Sequence, residues 1–266
     1  MDDFARSVLA VARARDRSVV TRARSVAPLR LWAPRCPGEA AWVYQASLGG
    51  GLVGRDAIAL DVEVDAGARL FLTSQASNKV YRQASSRVQL DAAIADRAIL
   101  IAWPDPIVCF AGAALDQRQR FDLTGSAGVI SVDAWTAGRV AHGERWAFAR
   151  LALRTELSLD GAPLASEAML LDPAHGDLSA RMAGADACAT VIIAGPAVAE
   201  MAAALTARIA ALPARALPRI AASAWPWGCV LRVAAASTEQ LTHTLHDLIG
   251  ASVRHALGAD PFTRKW

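Results

Sequence analysis

Apolar and polar residues alternate with a period of two along much of the first two thirds of the chain. Ile58, Leu60, Val62 and Val64 alternate with Ala59, Asp61, Glu63 and Asp65, the pattern of a strand with one buried face. Leu151, Leu153, Thr155, Leu157 and Leu159 repeat it and run into Asp160-Gly161, a hairpin signal. Shorter β-branched or alternating segments occupy residues 7–12, 18–23, 42–48, 69–73, 80–90, 98–102, 119–124 and 128–132. Turns such as Asp65-Ala66-Gly67-Ala68 separate them. Many short strands broken by Gly, Pro and Asp predict a mostly β fold with a large multi-stranded body.

The period changes in the last third. Residues 190–194 read as an apolar strand, and Pro196 suits the first position of a helix. Val198, Met201, Leu205, Ile209 and Leu212 then follow at helical spacing up to Pro213. Residues 220–233 offer one or two strands around Trp225-Pro226-Trp227-Gly228. Ser237 and Gln240 form a capping box. It opens a second helix through Leu241, Leu245 and Leu248 that Gly258 stops. The expectation is two α-helices near the C-terminus. The chain is treated as one domain over 1–266, a β body at 1–189 and a helix-containing part at 190–266. No internal repeat of fixed period is visible.

Composition narrows the class. The chain has 266 residues, 54% of them hydrophobic and 20% charged, with a formal net charge of +3. That excludes a disordered chain, and four cysteines are too few for a disulfide scaffold. The basic excess is small, so no nucleic-acid partner is expected. No apolar run reaches the roughly 18 residues of a membrane-spanning helix, so no membrane partner is expected and a cytoplasmic location is the default. Arg6, Arg13, Arg15, Arg17, Arg22, Arg24, Arg30 and Arg35 face only Asp2, Asp3 and Asp16. A solvated strand face is the favoured reading of that stretch; a transit peptide is the alternative.

Several motifs tempt. Residues 49–54 match G-x-G-x-x-G, but a dinucleotide site needs a helix to follow, and an alternating strand is expected there. His142-Gly143-Glu144 matches the H-x-E of zinc deaminases without a C-x-x-C partner. His243 and His246 share a helix face and are a weak metal candidate, with no firm metal site. No serine elbow or Walker loop occurs, so no catalytic constellation is assembled. What stands out is a set of polar residues inside strand-like sequence, which need partners if buried. These are residues 73–82 with Gln75, Lys79, Tyr81 and Arg82, Trp103-Pro104-Asp105-Pro106, Gly138-Arg139 and Gly143-Glu144.

At these residues the chain resembles the urease accessory protein UreD family, called UreH in some organisms. The family's T-T-Q-A-[AS]-T-K-V-Y-R segment reads Thr73-Ser74-Gln75-Ala76-Ser77-Asn78-Lys79-Val80-Tyr81-Arg82. Its G-G-I-V-G-G-D turn reads Gly50-Gly51-Leu52-Val53-Gly54-Arg55-Asp56. Its W-L-P-Q-P segment begins at Trp103, and G-R-x-A-x-G-E is intact from Gly138 to Glu144. The D-G-x-P-L hairpin appears at Asp160 with Glu167 beyond it, and the chain closes on Arg264-Lys265-Trp266. Ser74, Asn78 and Arg55 depart from the pattern.

The resemblance implies a stack of β-helix-like sheets and a non-enzymatic role. It implies a scaffold or chaperone that binds UreF, reaches the GTPase UreG through it, and docks on apo-urease for nickel insertion. No tightly bound cofactor is implied, only nickel ion in transit. By alignment, Asp56, Asp133 and Glu167 are the candidates to line a metal path. Gln75, Lys79, Tyr81, Arg82, Arg139 and Glu144 are the motif residues for a polar network or docking. The same resemblance leaves open a partner that only props urease open. Carboxylates suit transfer because single oxygen ligands attract a dication yet release it.

Overall fold

The computed structural model describes residues 4–213 and 217–264. Asp2, Asp3, Lys265 and Trp266 lie outside the described residues. Seventeen strands and four α-helices are present among them. The strands are β1 (Ser7–Ala14), β2 (Arg17–Arg24), β3 (Leu29–Trp32), β4 (Ala41–Ser47), β5 (Ala57–Val64) and β6 (Arg69–Ser74). They continue as β7 (Asn78–Val80), β8 (Ser85–Ile94), β9 (Ile99–Ala102), β10 (Ile107–Cys109), β11 (Ala114–Leu123) and β12 (Gly128–Thr136). The last are β13 (Arg150–Leu159), β14 (Ala162–Leu171), β15 (Ala187–Ala194), β16 (Arg219–Trp225) and β17 (Gly228–Ala235). The helices are α1 (Leu178–Met182), α2 (Ala199–Ala210), α3 (Thr238–Leu245) and α4 (Ala251–Leu257).

The fold is mostly β, as expected, with two stacked sheets of solenoid character. The first sheet runs β14-β13-β11-β8-β5-β1-β2, and the second runs β16-β17-β15-β12-β9-β6-β4-β3. In the middle of the chain, each coil places one strand in the first sheet and the next in the second. Strands β5, β8, β11 and β13 are mutually parallel, as are β6, β9 and β12. The coils stack in register: Leu60 pairs Leu90, Leu90 pairs Gln119, and Gln119 pairs Thr155.

Those pairings recur at 30, 29 and 36 residues, so a structural repeat exists that the sequence does not display. The reason is in the row itself. Two rungs put leucine there, and the next two put polar residues, which erases the repeat from the pattern.

The core is two-layered. Between the sheets lie Leu60, Val62, Ile94, Leu70, Leu100, Phe121 and Val129. On the other face of the second sheet, Trp42, Phe71, Ile101, Ile130, Val132, Val191 and Leu231 pack under the helices. Leu205 and Ile209 of α2 and Leu241, Leu245 and Val253 of α3 and α4 complete that layer. The outer face of the first sheet carries charge instead: Arg6 joins Asp61 and Asp91, and Arg22 meets Glu63. Of the N-terminal arginines, Arg6, Arg13, Arg15, Arg17, Arg22 and Arg24 sit on or beside β1 and β2 as a largely solvated strand face, whereas Arg30 lies on β3 and Arg35 follows it.

The expected helices form with the expected signals. Pro196 opens a 3-10 turn that leads into α2. The Ser237 hydroxyl accepts from Gln240 N–H at 3.1 Å, capping α3. A π-helical turn at His246–Gly250 joins α3 to α4. The one-turn α1 was not expected; its brevity leaves no periodic signal. The strand expected over 80–90 is two strands, broken where Tyr81 to Ala84 turn. Residues 220–233 form the β16–β17 hairpin, and β15 to β17 extend the second sheet. No helix among the described residues is long and apolar enough to cross a membrane.

Candidate functional site

Polar side chains enter the inter-sheet interior at the third and fourth rungs. On β11, Leu115, Gln117, Gln119, Phe121 and Leu123 share the inward face by period two, so both glutamines are buried. On β12, Val129, Ser131, Asp133 and Trp135 face the same interior, while Ile130, Val132 and Ala134 face the helices. Asp133 is 7% exposed. Its Oδ1 accepts from Gln117 Nε2 at 2.7 Å and from Gln119 Nε2 at 2.6 Å. Its Oδ2 accepts from the Thr155 hydroxyl at 3.4 Å. The Ser131 hydroxyl donates to Gln119 Oε1 at 3.1 Å, which fixes that amide's orientation.

These partners are neutral, so burial dominates. It pushes the Asp133 carboxyl up to about 6, against the opposing pull of Gln117, Gln119 and Thr155.

The polar row continues across both sheets. Asp133 pairs Thr190 on β15, and Thr190 pairs Arg232 on β17. Arg232 Nη2 spans the gap to Glu167 at 2.6 and 2.7 Å. Glu167 in turn pairs Thr155 on β13, which donates to Asp133. Two cavities flank this row. One of about 160 Å³ runs from Gln45, Ser74, Gln75 and Asp105 inward to Gln117, Gln119 and Asp133. The other, of about 510 Å³, contains Trp135, Glu167, Thr190 and Arg232. Asp133 and Glu167 thus belong to one polar layer, although they lie far apart in sequence.

Asp56 sits elsewhere, and its visible contacts close a turn. Its carboxylate accepts from Val53 N–H at 2.9 Å, and its own N–H reaches Val53 O at 3.0 Å. The glycine run before it leads into β5 and not into a helix. That removes the geometry a dinucleotide site needs. Gly51 is required there by packing, because a Cβ would lie 2.6 Å from Lys79 O and 2.7 Å from the Tyr81 ring.

The other motif residues divide. Gln75 lies at the rim of the smaller cavity, its N–H bonded to Gln45 O at 2.8 Å. Lys79 is exposed on β7, and its carbonyl accepts from Leu52 N–H at 2.7 Å. Tyr81 stacks edge-on to Phe110 at 5.2 Å. Arg139 lies over the Phe110 ring at 4.2 Å and binds Glu144 through Nε at 2.9 Å and Nη2 at 2.5 Å. Arg82 joins the same carboxylate, and Ala111 N–H donates to it at 3.1 Å.

The Arg139 hydrogen bond first, then the Ala111 N–H and both arginine charges, pull Glu144 down to about 2 against burial. Gly138 lets the chain pass: a Cβ there would lie 2.7 Å from Glu144 O and 2.8 Å from Cys109 O. This hub fastens the 138–144 loop to the strand ends; it places Glu144 in an ion network, not in a deaminase site.

His243 pairs with Asp247 at 3.2 Å on the helix surface. His246 instead lies against Phe262 at 4.2 Å and Trp103 at 5.6 Å. Among the described residues no three His, Cys, Asp or Glu side chains gather as a metal group. Sequence reasoning missed Gln117, Gln119, Thr155, Thr190 and Arg232. The signal was there for the glutamines, which occupy inward positions in step with Phe121 and Leu123.

Comparison with known proteins decides the family. The "UreD urease accessory protein" family matches residues 4–266. The chain belongs to this family. A "Urease accessory protein UreD" of Sorangium cellulosum is 44% identical over 262 residues, covering 97% of this chain and 83% of that protein. One from Anaeromyxobacter sp. is 40% identical over 259 residues, covering 96% and 87%. "Urease accessory protein D" of Oryza sativa subsp. indica is 34% identical over 194 residues, covering 70% and 63%. UreD membership supports a role in urease maturation, and the family name denotes an accessory protein.

Proposed function

We propose that this chain is a non-enzymatic scaffold of urease maturation that binds UreF, reaches UreG through it, docks on apo-urease, and passes nickel ion through its interior. The observation that carries the transfer part is the polar layer from the rim at Gln45, Ser74 and Asp105 to Asp133 and on to Glu167. The Asp133 carboxylate, held by neutral amides and a hydroxyl, has no cationic partner among the described residues, so a dication meets uncompensated negative charge there. Each step offers few oxygen ligands, which favours passage over capture. At Glu167 the cation has to take the carboxylate from Arg232.

Reconstituted activation of apo-urease with UreF, UreG, nickel and bicarbonate tests this reading. Asp133→Asn keeps the size of the site and an amide oxygen to accept from Gln117 and Gln119, turns the Oδ2 acceptor facing Thr155 into a donor, and removes the charge. Together with Glu167→Gln it is expected to lower activation at limiting nickel while co-purification with UreF persists. Unchanged activation by the double variant removes the transfer reading. The second reading, a partner that only props urease open, is favoured by the Arg232–Glu167 pair and by the turn contacts of Asp56. It requires that same unchanged activation.

A further inference from the structure

The larger cavity holds a feature that carboxylate chemistry does not use. Two of the chain's four methionines, Met169 and Met182, and one of its four cysteines, Cys188, line it together. Topology explains why one cavity holds all three. Cys188 pairs Trp135 on one side and Ala234 on the other, two residues along its strand from Thr190. Met169 lies two residues past Glu167 on β14, on the same face of that strand. Met182 ends α1, and Arg219 Nη2 holds its carbonyl at 2.9 Å. Trp135, 5% exposed, lines the same space with an indole Nε1 that has no hydrogen-bond partner among the described residues.

We propose that Cys188, Met169 and Met182 form a binding site for a soft monovalent cation, Cu(I) or Ag(I). Thiolate and thioether sulfur are soft ligands that prefer such ions to hard or borderline ones. Charge balance points the same way. One thiolate, two neutral thioethers and a monovalent ion sum to zero, which a largely apolar cavity accepts. A dication leaves a buried net positive charge.

Binding replaces the S–H bond of Cys188 by a sulfur–metal bond and releases one proton to solvent; no electron is transferred. Burial keeps the thiol protonated beforehand, up to about 11, with Arg219 opposing and Asp186 adding to the shift. The Trp135 N–H is a donor available to the resulting thiolate. Of the charged side chains that line the cavity, Arg232 and Glu167 neutralise each other and Arg219 adds a positive charge, which further disfavours a dication.

The test is anaerobic titration of the full chain with Cu(I) against bicinchoninate. Cys36→Ser serves as the reference protein, because Cys36 is a partly exposed thiol away from this cavity. One Cu(I) per chain with one proton released is expected. Cys188→Ala is expected to abolish that binding. Met169→Leu and Met182→Leu conserve volume, and each is expected to weaken it by at least the roughly 10–100-fold that losing an outer-sphere partner costs.

Retention of the ion by Cys188→Ala overturns the site. So does unchanged affinity in both leucine variants, or displacement of Cu(I) by equimolar Ni(II). Should Cys188→Ala fail to fold by circular dichroism, the leucine variants decide alone. None of these readouts involves urease, so failure here is separate from failure of the nickel reading.

Discussion

Asp133 and Glu144 are both carboxylates almost closed off from solvent, at 7% and 6% exposure, and their surroundings drive them in opposite directions. Asp133 meets two amides and a hydroxyl, and burial raises it to about 6. Glu144 meets two guanidiniums and a backbone N–H, and it falls to about 2. The difference separates two kinds of polar residue in one fold. Glu144 is satisfied by charge and fixes a loop. Among the described residues Asp133 is met only by neutral donors, so its ionised form has no compensating charge there.

The contrast can be broken from the Glu144 side. Gly138→Ala drives a Cβ into two carbonyl oxygens at a φ of +96°. Strain of that kind should cost on the order of 4 kcal/mol, read as a lowered urea midpoint. A midpoint near wild type would show that the hub is pliable and that Glu144 is not its fastener.

Asp133→Asn sharpens the other side. A carboxyl raised from 3.8 to about 6 stabilises nothing extra below pH 4. Between those values the unfolded state releases its proton and the folded state keeps it, so stability falls as pH rises. Above pH 6 the full penalty, about 3 kcal/mol, remains. The Asn variant is therefore expected to match wild type at pH 4 and to exceed it by about that amount at pH 8. Equal stability at both pH values would mean that the carboxylate is better solvated than its contacts indicate.

Glu144 gives the opposite slope. Its lowered value means that its contribution is present above its ordinary value of 4.5 and is lost as pH falls toward about 2. Glu144→Gln should remove that acid-side loss and leave the neutral-pH protein less stable, which denaturant melts across the acid range will show.

The smallest effect is expected for Arg232→Met. The Arg232 and Glu167 side chains are 53% and 24% exposed, so their pair should contribute less than about 1 kcal/mol. A larger loss would make Glu167 a fold element like Glu144 and weaken its place beside Asp133.

Much of this protein was legible in its residues. Period-two alternation located β5 and β13, and the Ser237–Gln240 box located α3. Ordered motifs located the family, as well as the residues of the Glu144 hub. Asp133 and Glu167 were reached only through resemblance, because nothing local distinguishes a buried Asp on a strand from a solvated one. Gln117 and Gln119 were passed over, since a lone polar residue in a strand usually marks the outer face. Asp56 was grouped with the other two carboxylates, yet its carboxylate contact lies within a turn.

The sequence by itself determined the strands, the two principal helices, their caps and the family, because those depend on local spacing and on motifs in order. Only the tertiary structure decided which polar residues meet. Parallel stacking of coils brings residues about 30 apart into one row, and sheet pairing sets Asp133, Thr190 and Arg232 side by side. Such contacts follow from hydrogen-bond register across the sheets, which no short window of sequence contains. The Asp133 carboxyl therefore owes its raised pKa to register, not to its neighbours along the chain.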